Sequence, residues 1–446
     1  MSTILLVGAF LFADEKTPLS PSLKRALYSS TLTCSVITSI LHPPNSFTII
    51  TYANAFLSVA YTLRAVELLI INQPRQLERL IKIRDGSTTS PVYVWEPMPP
   101  ALSYRRLFWI CDLLINPRNI GWAHGSGKYL PQLEKLSKIP PAQNGTASLA
   151  KQGLHPARGT NKYTLKNPHQ RRLKFLAIEA LKLVIAYFLF DAYRTFFGRR
   201  YPQLCTSFHS LVNSAALQHF ESQYLGFKLQ TSLETSERFV RRFLLPPACW
   251  AACYGFVDGI RAAVALFAVG GLYVVSPSLA ADPWMYPAIF GSWRYIIRAR
   301  LKDIWGKLWH DLCRRALINT SMVLIPRGAS PSLRRVLVGF LSFILSGVVH
   351  AAGTYAVIRD TYSVIVMMMF FFLLPFYIAA QEVVRTHLFE RFLPDLFLGR
   401  ALLWTLDAAY VIWWGYHTAP WFFRYSMIPE SVLSIPVPVR WSLWHA

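Results

Sequence analysis

The stretch 336-VLVGFLSFILSGVVHAAGTYAVI-358 decides the fold class. It contains no Lys, Arg, Asp or Glu. A membrane-crossing helix needs about 20 mostly apolar residues, and this stretch supplies them. The side chain in it that titrates near neutral pH is His350. At 1.5 Å per residue that ring sits roughly 20 Å along the axis from the start of the segment. An ionisable group at such depth is expensive and points to function by default. A neutral histidine bonded to a neighbouring helix is the plainer alternative. Ser346 stands one turn earlier on the same face, and Gly347 permits close approach from another group.

Working outward, apolar runs recur at 361–380, 401–419, 248–275 and 175–197, with weaker ones at 47–70, 26–42 and 1–13. Together they predict an all-α, polytopic membrane protein with about 7–9 transmembrane helices. The simplest organisation is one unit over 1–446. Composition agrees: 53% of residues are hydrophobic and only 15% charged, against roughly 25% charged in soluble domains. That excludes intrinsic disorder and disfavours an ordinary soluble enzyme.

The 46 Lys and Arg against 23 Asp and Glu leave a net charge of +23. The bases are scattered through loops between apolar runs, so nucleic acid is not the expected partner. In a membrane protein such an excess marks cytosolic loops near anionic lipid. It makes 72–174 a basic cytosolic loop region, and two crossings later 276–335 falls on the same side. The segment 198–247 opposes the scheme, because it would be lumenal yet carries Arg199, Arg200, Lys228, Arg238, Arg241 and Arg242. Asn144-Gly-Thr and Asn319-Thr-Ser fit the N-glycosylation pattern; both fall on the cytosolic side of this topology and read as chance matches. The six cysteines form no C-x-x-C pair, so neither a disulfide framework nor a zinc site is indicated.

The stretch 293-WRYIIRARLKDIWGKLWHDLCRRALI-318 repeats apolar residues at helical spacing with bases opposite. It reads as one amphipathic interfacial helix. That reading leaves His310 unexplained. Intramembrane charges elsewhere pair at i,i+3: Arg64 with Glu67, Glu179 with Lys182, Asp258 with Arg261. Histidine clusters, H-E-x-x-H, G-x-S-x-G and P-loop patterns are missing, so no metal site is expected.

The stretch from Pro287 to Arg315 resembles the signature of the wax synthase-like branch of the membrane-bound O-acyltransferases. That signature runs Leu, Phe-Trp-Gly-Arg, Trp, then His or Asn; here it reads Leu301, Ile304-Trp305-Gly306-Lys307, Trp309, His310. About forty residues later the family has Phe, Ser-Gly, two apolar residues and His, matched by Phe343, Ser346-Gly347 and His350. A third element, Asn116-Pro-Arg118-Asn-Ile-Gly121-Trp122, is similar to a segment of fungal members. The specific resemblance lies near 283–355 and at 116–122. Ile304 and Lys307-Leu308 depart from the usual Phe and Arg-Arg, and Ala351 stands where plant members have Glu.

The resemblance implies acyl transfer from acyl-coenzyme A, a cosubstrate and not a tightly bound cofactor, to a hydrophobic alcohol. The fungal likeness implies acetyl transfer from acetyl-coenzyme A to a hydroxylated terpenoid or meroterpenoid, in the endoplasmic reticulum or another endomembrane. His350 is then the expected general base and His310 the second catalytic residue. Lys307, Arg314 and Arg315 are the candidates for the coenzyme phosphates. Trp305, Trp309, Ser346 and Asp303 are the candidates for lining the substrate. A long-chain-alcohol acyltransferase is the alternative within the class; a transporter or a non-catalytic scaffold is the alternative outside it.

Overall fold

The computed structural model describes residues 2–13, 21–42, 48–71, 77–83, 92–100, 103–125, 130, 133–135, 163–165, 170–195, 243–276, 281–326, 328–389 and 397–425. In chain order these form α1 (Ser2–Ala13), α2 (Pro21–Leu41), α3 (Thr48–Ala65), β1 (Glu78–Ile83), β2 (Val92–Pro97), α4 (Tyr104–Ile115), β3 (Leu133–Lys135), β4 (Tyr163–Leu165), α5 (Gln170–Tyr193), α6 (Leu245–Ala265), α7 (Arg314–Leu324), α8 (Pro331–Ile358), α9 (Thr361–Val383) and α10 (Phe397–Tyr425). The described residues are overwhelmingly helical. Where they are described, the apolar runs read from the sequence lie on helices. Among the described residues four helical stretches are long and apolar enough to cross a membrane: Ile49–Leu68, Leu245–Val275, Pro331–Ile358 and Thr361–His387.

Helix α8 starts where the sequence can start it. Pro331 occupies the first turn and the Ser330 side chain accepts from the Leu333 N–H at 3.3 Å. It ends at Arg359, whose φ of 60° is left-handed and breaks the helix. Asp360 then caps α9 by accepting from the Ser363 N–H at 2.8 Å. Two residues therefore fold α8 back on α9 as an αα-hairpin. In lipid such contacts rest on close packing rather than on hydrophobic expulsion, and small residues permit it. Gly255 and Gly259 of α6 lie against Ala186 of α5, where an added Cβ would come within 3.4 and 3.1 Å.

The predicted basic loop 72–174 contains more than loop. β1 pairs antiparallel with β2, in register from Glu78↔Pro97 to Ile83↔Val92, and the strand order is β1-β2-β4-β3. These strands are short, and the run Val92-Tyr93-Val94 is buried on successive residues, so no clean alternation advertises it. The sheet anchors the loop that precedes the signature. Asp282 accepts from Tyr93 Oη and pairs with Lys82 Nζ at 3.2 Å. The Tyr93 ring meets Trp284 edge-on at 6.4 Å.

The stretch 293–318 is not one helix. It breaks into Arg294–Ile297, Leu301–Asp303 and a π-helical turn Ile304–Leu308, then passes through extended Trp309 to α7. Tertiary contacts overrule the periodicity. Ala299 takes a left-handed φ of 52°, which costs a non-glycine residue roughly 1–2 kcal/mol. Buried Gln381 of α9 holds that turn, accepting from the Leu301 N–H at 2.8 Å and donating to the Ala299 carbonyl at 2.9 Å. Beside it Arg300 grips Glu382 with both carboxylate oxygens, at 2.6 and 2.7 Å.

The intramembrane charges are paired as their spacing predicts, in larger groups. Arg261 bonds Asp258 at 2.6 Å and also Glu179 on α5, while Lys182 reaches Glu179 at 3.2 Å. The segment 196–242, including all six anomalous bases, lies outside the described residues, as does Asn144.

Candidate active site

His350 stands on α8 where α3, α9 and α10 meet it. Its ring stacks on Phe371 of α9 at 4.9 Å and 14°. Phe56 of α3 and Phe422 of α10 present edges at 5.1 and 5.9 Å. Its Nδ1 is within hydrogen-bond distance, 2.9 Å, of Tyr52 Oη on α3. Two glycines of α8 make room for these neighbours. A Cβ at Gly347 would come 3.0 Å from Phe371 Cβ, and one at Gly353 within 2.7 Å of the Tyr52 ring. Gly347 thus has a definite role; Ser346 lies half-buried on the helix face one turn before His350.

His310 reaches the same region from the broken stretch. The π-turn is closed by the Trp309 N–H bonding the Ile304 carbonyl at 2.8 Å. Such turns are rare and cluster at functional sites. Beyond it the chain pairs with the upstream loop: Gly291 N–H donates to the Leu308 carbonyl at 2.8 Å and Asp311 N–H to Ile289 at 3.3 Å. A Cβ at Gly291 would lie 2.0 Å from the Lys307 carbonyl, so only glycine fits there.

The 116–122 element locks this pairing. Arg118 donates to the Pro287 and Ala288 carbonyls, both at 2.9 Å, and its guanidinium grips Asp311 at 2.8 and 3.2 Å. Asn116 closes its own turn with Ile120, 2.8 Å in one direction and 3.0 Å in the other. Gly121 adopts a φ of 77°, and its missing Cβ leaves room for Trp284, which would otherwise lie 3.2 Å away. The three sequence elements of the resemblance are therefore linked: 116–122 clamps the loop that carries His310, and Leu301 and Trp305 share one hydrophobic cluster with Phe343 and Ala351. Arg118→Ala removes three hydrogen bonds and an ion-pair contact from the clamp. We expect it to lower turnover at least tenfold while the individual helices survive, measured as kcat beside a circular dichroism spectrum.

A continuous path of rings joins the two histidines. His310 packs on Phe290 and Trp309. Trp309 meets Trp305 at 6.0 Å and stacks flat on Trp250 at 4.8 Å and 7°. Trp305 touches Phe370 and Trp414, each at 6.1 Å. Phe370 contacts Phe371, under His350. The His350 ring lies within electrostatic range of the His310 ring. Burial holds the His310 imidazolium down, with a pKa lowered to about 4, so the ring is neutral at pH 7; Asp311 opposes the shift and Arg314 adds to it. Its Nδ1 is buried and makes no hydrogen bond among the described residues.

The remaining predicted residues divide. Trp305 and Trp309 belong to this run of packed rings. Asp303 is buried and pairs with Lys307 at 2.6 Å, with Arg298 at 3.7 Å beyond it. Lys307 keeps 48% of its side chain exposed. Arg314 reaches the Trp309 carbonyl at 3.5 Å. Arg315 departs from the expected pattern. Its Nε bonds Glu67 at 2.8 Å and its Nη2 bonds the His124 carbonyl. Glu67 is fully buried and also accepts from Arg64, from Asn119 at 3.2 Å and from Asn319 at 2.9 Å. Asn319 thus spends its amide inside the fold and is no open glycosylation acceptor. The sequence reading missed Tyr52 and Gln381 altogether. Neither carries a motif, and each acts on a residue far away in the chain, Tyr52 across 298 positions.

The fold is that of a helical protein with apolar helices long enough to cross a membrane, in which a run of packed rings links His310 to His350. Residues 286–373 match the family described as "Membrane bound O-acyl transferase family". This segment contains both histidines and bears out the resemblance read from the sequence. The chain is 34% identical over 90 residues to "Acetyltransferase ple2" of Rhodocybe pseudopiperita, which is 18% of this chain and 22% of that protein. It is 31% identical over 142 residues to "Acetyltransferase eriL" of Hericium erinaceus, 30% of this chain and 32% of that one. The match thus spans less than a third of the length of either relative. No solved structure matches.

Proposed function

We propose that this chain is a membrane-bound O-acyltransferase that moves an acetyl group from acetyl-coenzyme A to the hydroxyl of a hydrophobic terpenoid or meroterpenoid, in an endomembrane. The observation that supports the reading is that one run of packed rings inside the family-matched segment links His310 to His350, which come from separate elements. Two relatives bear the name acetyltransferase, which favours the acetyl donor.

The chemistry follows from the two rings. The acceptor hydroxyl must lose its proton as its oxygen bonds the thioester carbonyl carbon. With Nδ1 of His350 beside Tyr52, Nε2 is the ring atom that takes that proton when the resting ring carries its own proton on Nδ1. Negative charge then gathers on the carbonyl oxygen and needs a donor. Neutral His310 supplies one N–H. Collapse breaks the carbon–sulfur bond, and the leaving coenzyme thiolate recovers the proton from His350. No covalent acyl-enzyme is required. Trp305, Trp309, Trp250 and Phe370 keep water from the thioester. An apolar acceptor enters laterally from the bilayer, whereas the coenzyme arrives from the cytosol.

For the coenzyme phosphates, Lys307 and Arg314 remain the favoured cations, with exposed Arg298 and Lys302 beside them. We assign Arg315 to the Glu67 network instead. Asp303 acts by holding Lys307 rather than by touching substrate.

Substituting His310 by alanine is expected to lower kcat about 10²-fold, the usual cost of one oxyanion donor, with the KM for acetyl-coenzyme A within about twofold. Unchanged turnover in that variant would reduce His310 to packing. Donor choice is tested by offering acetyl- and palmitoyl-coenzyme A to the same membranes. Preference for palmitoyl transfer to fatty alcohols would move the reading to wax ester synthesis.

A further inference from the structure

The hydrogen bond between Tyr52 and His350 has a consequence for catalysis. A neutral imidazole carries one proton on its two nitrogens. If Nδ1 merely accepts from Tyr52, the proton must sit on Nε2 and that atom is no base. If Nδ1–H donates to Tyr52 Oη, Nε2 keeps its lone pair and can act as the base. The 2.9 Å separation serves either tautomer in the resting ring. Once Nε2 takes the acceptor's proton, both nitrogens are donors, and only the second arrangement persists. We propose that Tyr52 is a positioning residue: its phenol oxygen accepts from Nδ1–H, orients the His350 ring, and stabilises the imidazolium formed as the acceptor alcohol is deprotonated.

Other contacts on the ring are apolar. Phe371, Phe56 and Phe422 fix its plane but accept no hydrogen bond of comparable strength. The Tyr52 ring is itself steered from both sides. Phe56, one turn on, lies 6.1 Å away at 22°. Gly353 of α8 leaves the space that the Tyr52 ring fills; an added Cβ would lie 2.7, 2.8 and 2.9 Å from three ring atoms. Glycine one turn after the histidine is therefore what lets the phenol come within reach of Nδ1. The device joins α3, which lies outside the segment matched by the family, to α8, which lies within it. The inference rests on His350 being the base.

The test uses the full chain in microsomes with acetyl-coenzyme A and a hydroxylated terpenoid. Tyr52→Phe keeps the ring and removes only the hydroxyl. We expect kcat to fall about tenfold, the worth of one hydrogen bond made in the transition state, with both KM values within about twofold. Gly353→Ala alters neither residue but displaces the Tyr52 ring, and it should lower kcat in the same way. Combining it with Tyr52→Phe should cost no more than Tyr52→Phe alone, because both remove one contact. Full kcat in Tyr52→Phe overturns the proposal, as does a multiplicative loss in the double variant, which would mean that Gly353 acts through general packing. His350→Ala separates the two levels. If it abolishes transfer while Tyr52→Phe is unaffected, only the role of Tyr52 falls. If His350→Ala retains full turnover, or the wild type transfers nothing, the base assignment falls and this inference with it.

Discussion

Replacing His350 with alanine is expected to lower acyl transfer by about 10²- to 10⁴-fold, the range that general-base catalysis supplies. The fold should tolerate the change. Alanine is the best helix former, and α8 is held along its length by α3, α7 and α9 rather than by one ring. The main structural cost is at Tyr52, whose hydroxyl loses its partner in a half-buried position; an unsatisfied group of this kind costs about 1–3 kcal/mol. The KM for acetyl-coenzyme A should stay near the wild-type value, because in our proposal Lys307 and Arg314, not His350, hold the coenzyme's phosphates. Expression level, a thermal melt in detergent and initial rates on the same membranes check all three expectations. Loss of transfer together with loss of the folded protein would leave chemistry and stability confounded. His350→Gln retains a side chain able to bond Tyr52 but not to act as a base, and the same rate loss is expected from it with a smaller change in melting.

Arg315→Ala is expected to act on stability, not on the coenzyme. Glu67 is completely buried and depends on the donors that surround it. Removing one partner of a buried ion pair costs about 3–5 kcal/mol, because the charge left behind has lost its compensation. Arg315 keeps 27% of its side chain exposed, while Arg64, Asn119 and Asn319 stay on the carboxylate. The lower end of that range therefore applies. Arg315 also ties α7 to the 116–125 turn through the His124 carbonyl, so the clamp around His310 should loosen with it. A clearly lowered melting temperature with an unchanged KM for acetyl-coenzyme A is the expected pair of results. A KM raised tenfold with an unaltered melt would return Arg315 to the coenzyme site.

Much of this was legible in the sequence because membrane helices announce themselves. A long uncharged run such as 336–358 has few alternatives, and a histidine within it stands out. The three elements at 116–122, 301–310 and 343–350 could be ordered along the chain, but their convergence could not be read. That depends on Arg118 reaching Pro287, Ala288 and Asp311 across nearly the whole described middle of the protein. The stretch 293–318 misled for a physical reason. Its apolar period is real, yet Gln381 and the pairing of Ile289 with Asp311 stabilise a broken path that local propensity opposes. Arg315 misled likewise: an arginine beside Arg314 in a basic stretch looks available, and only the fold reveals Glu67 beneath it. Tyr52 offered no signal, since one tyrosine in a weak apolar run resembles any other.

The central claim is acetyl transfer to a hydrophobic alcohol within the membrane. Its most direct test is microsomes expressing the chain, supplied with labelled acetyl-coenzyme A and a pool of hydroxylated terpenoids, the products being read by mass. The account predicts product gaining one acetyl group, label included, in wild-type membranes and none with His350→Ala. Equal product in both membranes, or none in either despite intact protein and every acyl donor offered, would contradict it.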